Sequence, residues 1–163
     1  MCKANGDPQI SDCLGFDLES AVAASRAGKI EDWVHEYLQS GYWANEGLFS
    51  GLKRCRRWWA GPVKLQAKEL LRKVGPEKGM EYLVSMQHWE HVTGRMAEGM
   101  QDLESLPPLI AEYVSGDVWV CDGNTRLGAM ELNGWENCWV IIWYNSETDF
   151  STHQSRLQGP GFS

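Results

Sequence analysis

The stretch from Val118 to Tyr144 narrows the possible folds of this chain more than any other. Four apolar residues, Val118-Trp119-Val120-Cys121, read as a strand that stops at the turn Asp122-Gly123-Asn124. A helix is expected to open at Thr125-Arg126 and to close at Gly134, with Leu127, Ala129 and Met130 as its apolar members. Next comes Cys138-Trp139-Val140-Ile141-Ile142-Trp143-Tyr144, a continuous run that only a strand buried on both faces satisfies. A strand, turn and helix joined this tightly aim backbone N–H groups and the positive end of a helix dipole at one spot. Arg126 adds a planar cation that can grip oxygens in pairs. Such a junction can hold an anion, of which phosphates are the commonest in a cell; from the residues alone the favoured alternative is an ordinary strand–helix turn in which Gly123 supplies backbone freedom and Asp122 or Asn124 caps the helix.

Upstream of this junction, Pro107-Pro108 introduces Leu109–Val114 as a further strand, and Ser115-Gly116-Asp117 turns it back. Before that the texture is helical. Asp17 is placed to cap a first helix carrying Leu18, Val22 and Ser25 on one face. Gly28 breaks it, and Ile30, Trp33, Val34, Tyr37 and Leu38 mark a second helix that ends at Ser40-Gly41. Residues 42–61 are ambiguous, because Leu48, Leu52 and Cys55 fit a helix that Gly47 and Gly51 weaken. Gly61-Pro62 leads into Val63–Ala67, which alternates as a short strand, and Lys68–Lys73 suggests one helical turn ending at Gly75-Pro76. The longest helical candidate covers residues 79–101, with Trp89, Met96 and Met100 to bury. Residues 1–16 read as a loose arm and residues 147–163 as a polar, frayed tail.

A length of 163 residues suits one compact domain with a real core. A net charge of −7 argues against indiscriminate binding to nucleic acid or anionic membrane. No apolar stretch is long enough to span a bilayer and no secretory signal is recognisable. Cys2, Cys13, Cys55, Cys121 and Cys138 are odd in number, widely spaced and free of any C-x-x-C pair. Free thiols in a reducing cytoplasm are the simplest reading, so the expected localisation is cytoplasmic. His88 and His91 share a helix face with Glu90 between them, and His35 follows Glu31 and Asp32. Neither set brings a third ligand at fixed spacing, so no metal site is expected.

Residues 96–144 resemble the core of the ParB/sulfiredoxin-like fold. The order of parts is Met-Ala-Glu-Gly-Met on a helix, Pro-Pro-Leu-Ile on a strand, a hairpin into Asp122-Gly123-Asn124-Thr125-Arg126, then Gly134-Trp135 and the closing strand Val140-Ile141-Ile142. Val63–Leu71 is similar to the opening strand and turn of that fold. The resemblance implies an α+β fold, a small mixed β-sheet of ParB/sulfiredoxin type over residues 61–146, with an α-helical N-terminal extension over residues 17–60. It also implies nucleotide or phosphate handling at the turn. Two departures matter. Asn124 stands where sulfiredoxin carries its nucleophilic Cys, and Cys121, three residues earlier on the strand, is expected to point elsewhere. Thr125 stands where many relatives carry His, and a hydroxyl cannot shuttle a proton near neutral pH. No helix-turn-helix domain follows, so a DNA-partition role is not expected.

The expected function is thus binding, sequestering or sensing of a nucleotide-like small molecule. Its phosphate would lie on the N–H groups of Asn124 and Thr125, with Gly123 allowing close approach and Arg126 as the clamp. Asp122 would orient Arg126 or hold a Mg²⁺ brought with the nucleotide. Trp33, Trp43, Trp58 and Trp59 are candidates to cover base or ribose, and Arg54, Arg56 and Arg57 are candidate auxiliary cations. The bland reading of that basic run is a solvated helix end. One alternative is a nucleotide hydrolase or phosphotransferase with Asp122 as general base. Another is a protein-interaction module without ligand. A homo-oligomer is compatible with either. Arg126→Ala is expected to remove binding and spare the fold. The whole reading needs an open turn, with Arg126 directed at it and not drawn into a structural ion pair.

Overall fold

A computed structural model of the chain describes residues 15–157, except the side chain of Tyr42. The bulk of the expected arm, with Cys2 and Cys13, and the last residues of the tail lie outside the described residues. The fold is α+β. Three helices come first: α1 (Leu18–Arg26), α2 (Ile30–Leu38) and α3 (Glu46–Leu52), with a 3-10 turn at Gly41–Trp43 between the last two. The strands and remaining helices follow as β1 (Trp58–Gln66), β2 (Leu70–Arg72), β3 (Val74–Gly75), β4 (Tyr82–Leu83), α4 (Met86–Gly99), β5 (Leu109–Val114), β6 (Asp117–Asp122), α5 (Asn124–Leu132), β7 (Asn137–Tyr144) and α6 (Glu147–Leu157).

Five strands form one mixed sheet in the order β1-β7-β5-β6-β2. The β5–β6 and β1–β7 pairs are antiparallel, whereas β5–β7 and β6–β2 are parallel. The parallel β5–β7 pair requires a crossover, and α5 supplies its helix. β7 lies between β1 and β5 and sends alternate side chains into two cores. Cys138, Val140, Ile142 and Tyr144 pack with Leu109, Ala111, Val120, Leu127 and Met130 on the face covered by α4, α5 and α6. Ile141 and Trp143 pack with Ile110, Val34, Leu38 and Leu52 on the face covered by α1 to α3. The expectation that this strand is buried on both faces holds, and it explains the helical extension: without α1 to α3, Ile110 and Ile141 would face water.

Local chemistry accounts for the element ends. Asp17 caps α1 in a reciprocal capping box, accepting from the Ser20 N–H at 2.8 Å while its own N–H donates to Ser20 Oγ at 3.2 Å. Asn45 and Ser85 cap α3 and α4 by accepting from Leu48 N–H and His88 N–H. α4 crosses α5 at Gly128, where an added Cβ would lie 2.5 Å from Trp89 Cζ2.

Several expectations need correction. β1 begins at Trp58, not near residue 63, so the extension is helical only to Leu52 and Trp58 and Trp59 are sheet residues. A bulge between Ala60 and Val63, at Gly61-Pro62, separates the two halves of β1. The stretch expected as a helical turn at 68–73 is a 3-10 turn at Ala67–Glu69 followed by strand β2, which gains its partner from β6, some 50 residues away. The long helix runs over Met86–Gly99 only. Most of the tail expected to fray is instead α6. His153 anchors it, stacked on Tyr113 at 4.5 Å with Nδ1 2.6 Å from the Tyr144 hydroxyl. Gln154 Nε2 donates to the same hydroxyl at 3.4 Å.

Burial lowers the pKa of His153 to about 4. The unfolded chain therefore binds a proton near pH 6.5 that the folded chain refuses until about pH 4. Stability contributed by this group is intact above pH 6.5 and falls through that window as pH drops, by on the order of 2 kcal/mol. His153→Phe should flatten the stability profile between pH 6.5 and 4, measured by urea unfolding at several pH values. Gly128→Ala should cost about 1–3 kcal/mol in the same assay at neutral pH, because the helix crossing must open.

Candidate functional site

The sequence-predicted turn is the junction of β6 and α5. Gly123 has φ of +101°, so the left-handed conformation that favours glycine is used where the strand ends. A Cβ there would meet Leu109 Cδ2 at 2.5 Å and Arg126 Nη2 at 2.9 Å. Gly123 is also the N-cap, without a side-chain cap, and α5 opens one residue earlier than expected, at Asn124. The N–H groups of Asn124, Thr125 and Arg126 are consequently first-turn amides with no acceptor within the helix.

Around this turn lies a cleft of about 310 Å³, lined by Trp43, Ala44 and Asn45 from the extension, Val74 and Met96 from the other side, and Cys121 to Arg126 below. Its size is at the lower end of small-molecule sites. Cys121 borders it, and its side chain packs against the core beneath the extension, with Sγ 3.6 Å from the Trp119 carbonyl. Burial pushes the Cys121 thiol up to about 11, against the opposing pull of the Lys73 ammonium, so it is an inert wall and not a nucleophile at neutral pH.

Asp122 holds the turn to the extension. Its Oδ2 accepts from the Tyr37 hydroxyl at 2.8 Å and its Oδ1 from Asn45 Nδ2 at 3.2 Å. Arg126 Nη2 lies 3.6 Å from Oδ2. Tyr37 is wholly buried, and burial holds its phenol proton well beyond the usual range, so it stays a donor. Arg126 is only 3% exposed. Its guanidinium donates to the Pro108 carbonyl at 3.2 Å and lies over the Trp43 ring at 4.8 Å and the Tyr37 ring at 5.9 Å. The arginine is thus built into the wall, ion-paired with Asp122, and its planar donors are not presented as an exposed clamp. Of the two roles expected for Asp122, orienting Arg126 is the one its contacts match.

Asn124 is likewise buried and structural. Its Oδ1 accepts from the N–H groups of Lys73 and Val74 at 2.8 and 3.3 Å, and its Nδ2 donates to the Val120 carbonyl at 3.0 Å. The side chain fixes the entry to β3, and only the backbone of Asn124 remains for a ligand. Thr125 is half-buried on the cleft wall.

The outlying candidates divide sharply. Trp43 lines the cleft. Trp33 is stacked on Tyr37 at 5.2 Å and donates from Nε1 to Ser20 Oγ, a packing role inside the extension. Trp58 and Trp59 stand on β1, at the opposite edge of the sheet from β2. Arg54 is exposed, Arg56 lies over Trp58 at 4.8 Å, and neither lines the cleft. Arg57 donates to the Gly51 carbonyl at 2.9 Å and to Asn145, and lies over Trp143 at 4.9 Å. It closes the C-terminal end of α3, which is the bland reading of the basic run. His88 and His91 are exposed on α4, and His35 packs edge-on against Phe49. Among the described residues there is no cluster of three metal-ligating side chains. None of the helices of the described residues is long and apolar enough to cross a membrane.

Tyr37, Asn45, Val74, Met96 and Pro108 were not among the expected site residues. Asn45 carried a signal, because an Asn directly before Glu46-Gly47-Leu48 is a helix-cap pattern. Tyr37 read as helix core, and nothing local marked Val74, Met96 or Pro108. No protein-family model matches the chain, and no curated protein is significantly similar to it in sequence.

The buried guanidinium revises one expectation about mutants. Arg126→Ala should destabilise the fold by roughly 3 kcal/mol, since it leaves Asp122 without its cation and Trp43 without its stacking partner. Urea unfolding that matches wild type would show the arginine to be structurally dispensable.

Proposed function

We propose that the cleft over the β6–α5 turn seats the phosphate of a nucleotide or nucleotide-derived small molecule, and that the protein binds or senses that molecule. The observation that carries this reading is the opening of the cleft onto the first turn of α5, whose N–H groups have no acceptor within the helix. The N–H groups of Asn124 and Thr125 would donate to the phosphate oxygens, and the Thr125 hydroxyl would add a third donor.

Arg126 would act at one remove. A carboxylate at Asp122 beside the cleft would by itself repel an anion. The Arg126 cation at 3.6 Å, with the Tyr37 and Asn45 donors, offsets that charge and leaves the helix dipole as the dominant local field. Trp43, whose ring already carries the guanidinium, would present its edge to the ligand. Any Mg²⁺ would come with the phosphates, since both Asp122 oxygens already accept hydrogen bonds. The same occupancy weighs against Asp122 as a general base, and Thr125 offers no proton shuttle, so binding stands ahead of hydrolysis or phosphoryl transfer. The resemblance of residues 96–144 to ParB/sulfiredoxin-like proteins supports phosphate as the anion. A cytoplasmic setting suits the free thiols and supplies such ligands.

Thr125→Glu tests the site directly. A carboxylate in the first turn suits the helix dipole but occupies the anion position. Wild type should gain about 5–10 °C in Tm with a bound nucleotide at roughly a hundred times its Kd. Thr125→Glu should keep its unliganded Tm and lose that gain. A nucleotide panel that leaves wild type unshifted would sink the reading, and product found by chromatography would turn it towards catalysis.

A further inference from the structure

The cleft has donors at one end, yet its visible walls offer little flat surface for a base. Trp43 is buried, with Arg126 over its ring. The largest exposed apolar side chains near the cleft stand on the small ribbon formed by β3 and β4. Tyr82 is 59% exposed and Leu83 65%, with Met86 exposed just beyond. β3 and β4 are parallel, with Val74 opposite Tyr82 and Gly75 opposite Leu83. Register partners in a parallel pair present their side chains to the same face. Val74 lines the cleft, so Tyr82 shares the ribbon face that the cleft wall belongs to. Leu83 shares the face of Gly75, which is occupied by the Arg72–Glu77 ion pair.

The ribbon is also tied to the turn. The Val74 and Lys73 N–H groups both donate to Asn124 Oδ1, and the Tyr82 N–H donates to the Lys73 carbonyl at 2.9 Å. One strand spacing of about 5 Å separates Tyr82 from Val74, the β3 residue that borders the cleft.

We infer that Tyr82 is a specificity-determining residue of this cleft: its ring stacks on the base of a mononucleotide whose phosphate sits at the start of α5. The inference rests on the proposed phosphate site and adds the ligand class, a phosphate-bearing molecule that also carries an aromatic ring. The exposure of Tyr82 follows, since a stacking platform stays open until the ligand covers it.

The test compares ligands with and without a base. Isothermal titration of the full chain would use adenosine and guanosine monophosphates, cytidine and uridine monophosphates, ribose 5-phosphate and inorganic phosphate. Tyr82→Ala should weaken the mononucleotides by about 10-fold, the usual scale for one base–aromatic stack. It should leave ribose 5-phosphate and inorganic phosphate unchanged, and Tyr82→Phe should restore mononucleotide affinity. Because Tyr82 is largely exposed, Tyr82→Ala should unfold at the wild-type temperature. Equal mononucleotide affinity in wild type and Tyr82→Ala overturns the stacking role while leaving the phosphate site standing. Equal weakening of every probe does the same, since it shows a damaged cleft and no base contact. Binding of no probe by wild type overturns the phosphate site and the stacking role together.

Discussion

One carboxylate joins the two halves of this molecule. Asp122 ends β6 and accepts from Tyr37 of α2 and from Asn45 at the cap of α3, while Arg126 of α5 lies beside it. A half-buried carboxylate with those donors removed would carry a desolvation cost of several kcal/mol, so the hub favours one arrangement of helices over the sheet. The hydrophobic contacts of Ile110, Ile141 and Trp143 with the extension are large but tolerant of sliding. Direction comes from the polar contacts. They set Trp43 over the guanidinium and Asn45 at the rim, and so they fix one wall of the cleft.

The same hub decides how an acidic protein could admit an anion here. The chain carries a net charge of −7, and the cleft is lined by one acidic side chain, Asp122, beside one basic side chain, Arg126. Arg126 does not overcome this by reaching outward. Buried under Trp43, it pairs with Asp122 and cancels the field that would close the site. The interaction of an ion pair with an anion falls off faster than that of a lone charge, so the first-turn amides of α5 dominate at contact distance. An arginine in a turn of this kind can thus serve an anion site without touching the anion.

Much of this architecture is legible in sequence because it depends on near neighbours. The apolar run Cys138–Tyr144 fixed a strand buried twice, and Gly123 between Asp122 and Asn124 marked a backbone position with positive φ. The capping of α1 by Asp17 followed from its place before Leu18. Elements that failed to read correctly depend on distant partners. β2 is three residues long and exists because β6 lies beside it. α6 carries many polar residues, and its hold on the body comes through His153, whose partners Tyr113 and Tyr144 lie 40 and 9 residues away. No local pattern distinguishes such a helix from a frayed end.

Within the site, the sequence located the turn and misjudged what its side chains do. Asp122, Asn124 and Arg126 are the residue types that an anion site would use, and here their side chains are spent on holding Tyr37, Lys73, Val74, Val120 and Pro108 in place. Side-chain chemistry is visible in sequence, but the partner that claims it is not. What remains for a ligand is the part that sequence letters do not encode, namely backbone amides at a helix start. The engaged side chains of Asp122, Asn124 and Arg126 also stiffen the turn. Donors held in place before a ligand arrives lose little freedom on binding it, so the structural network is compatible with the anion site proposed at this turn.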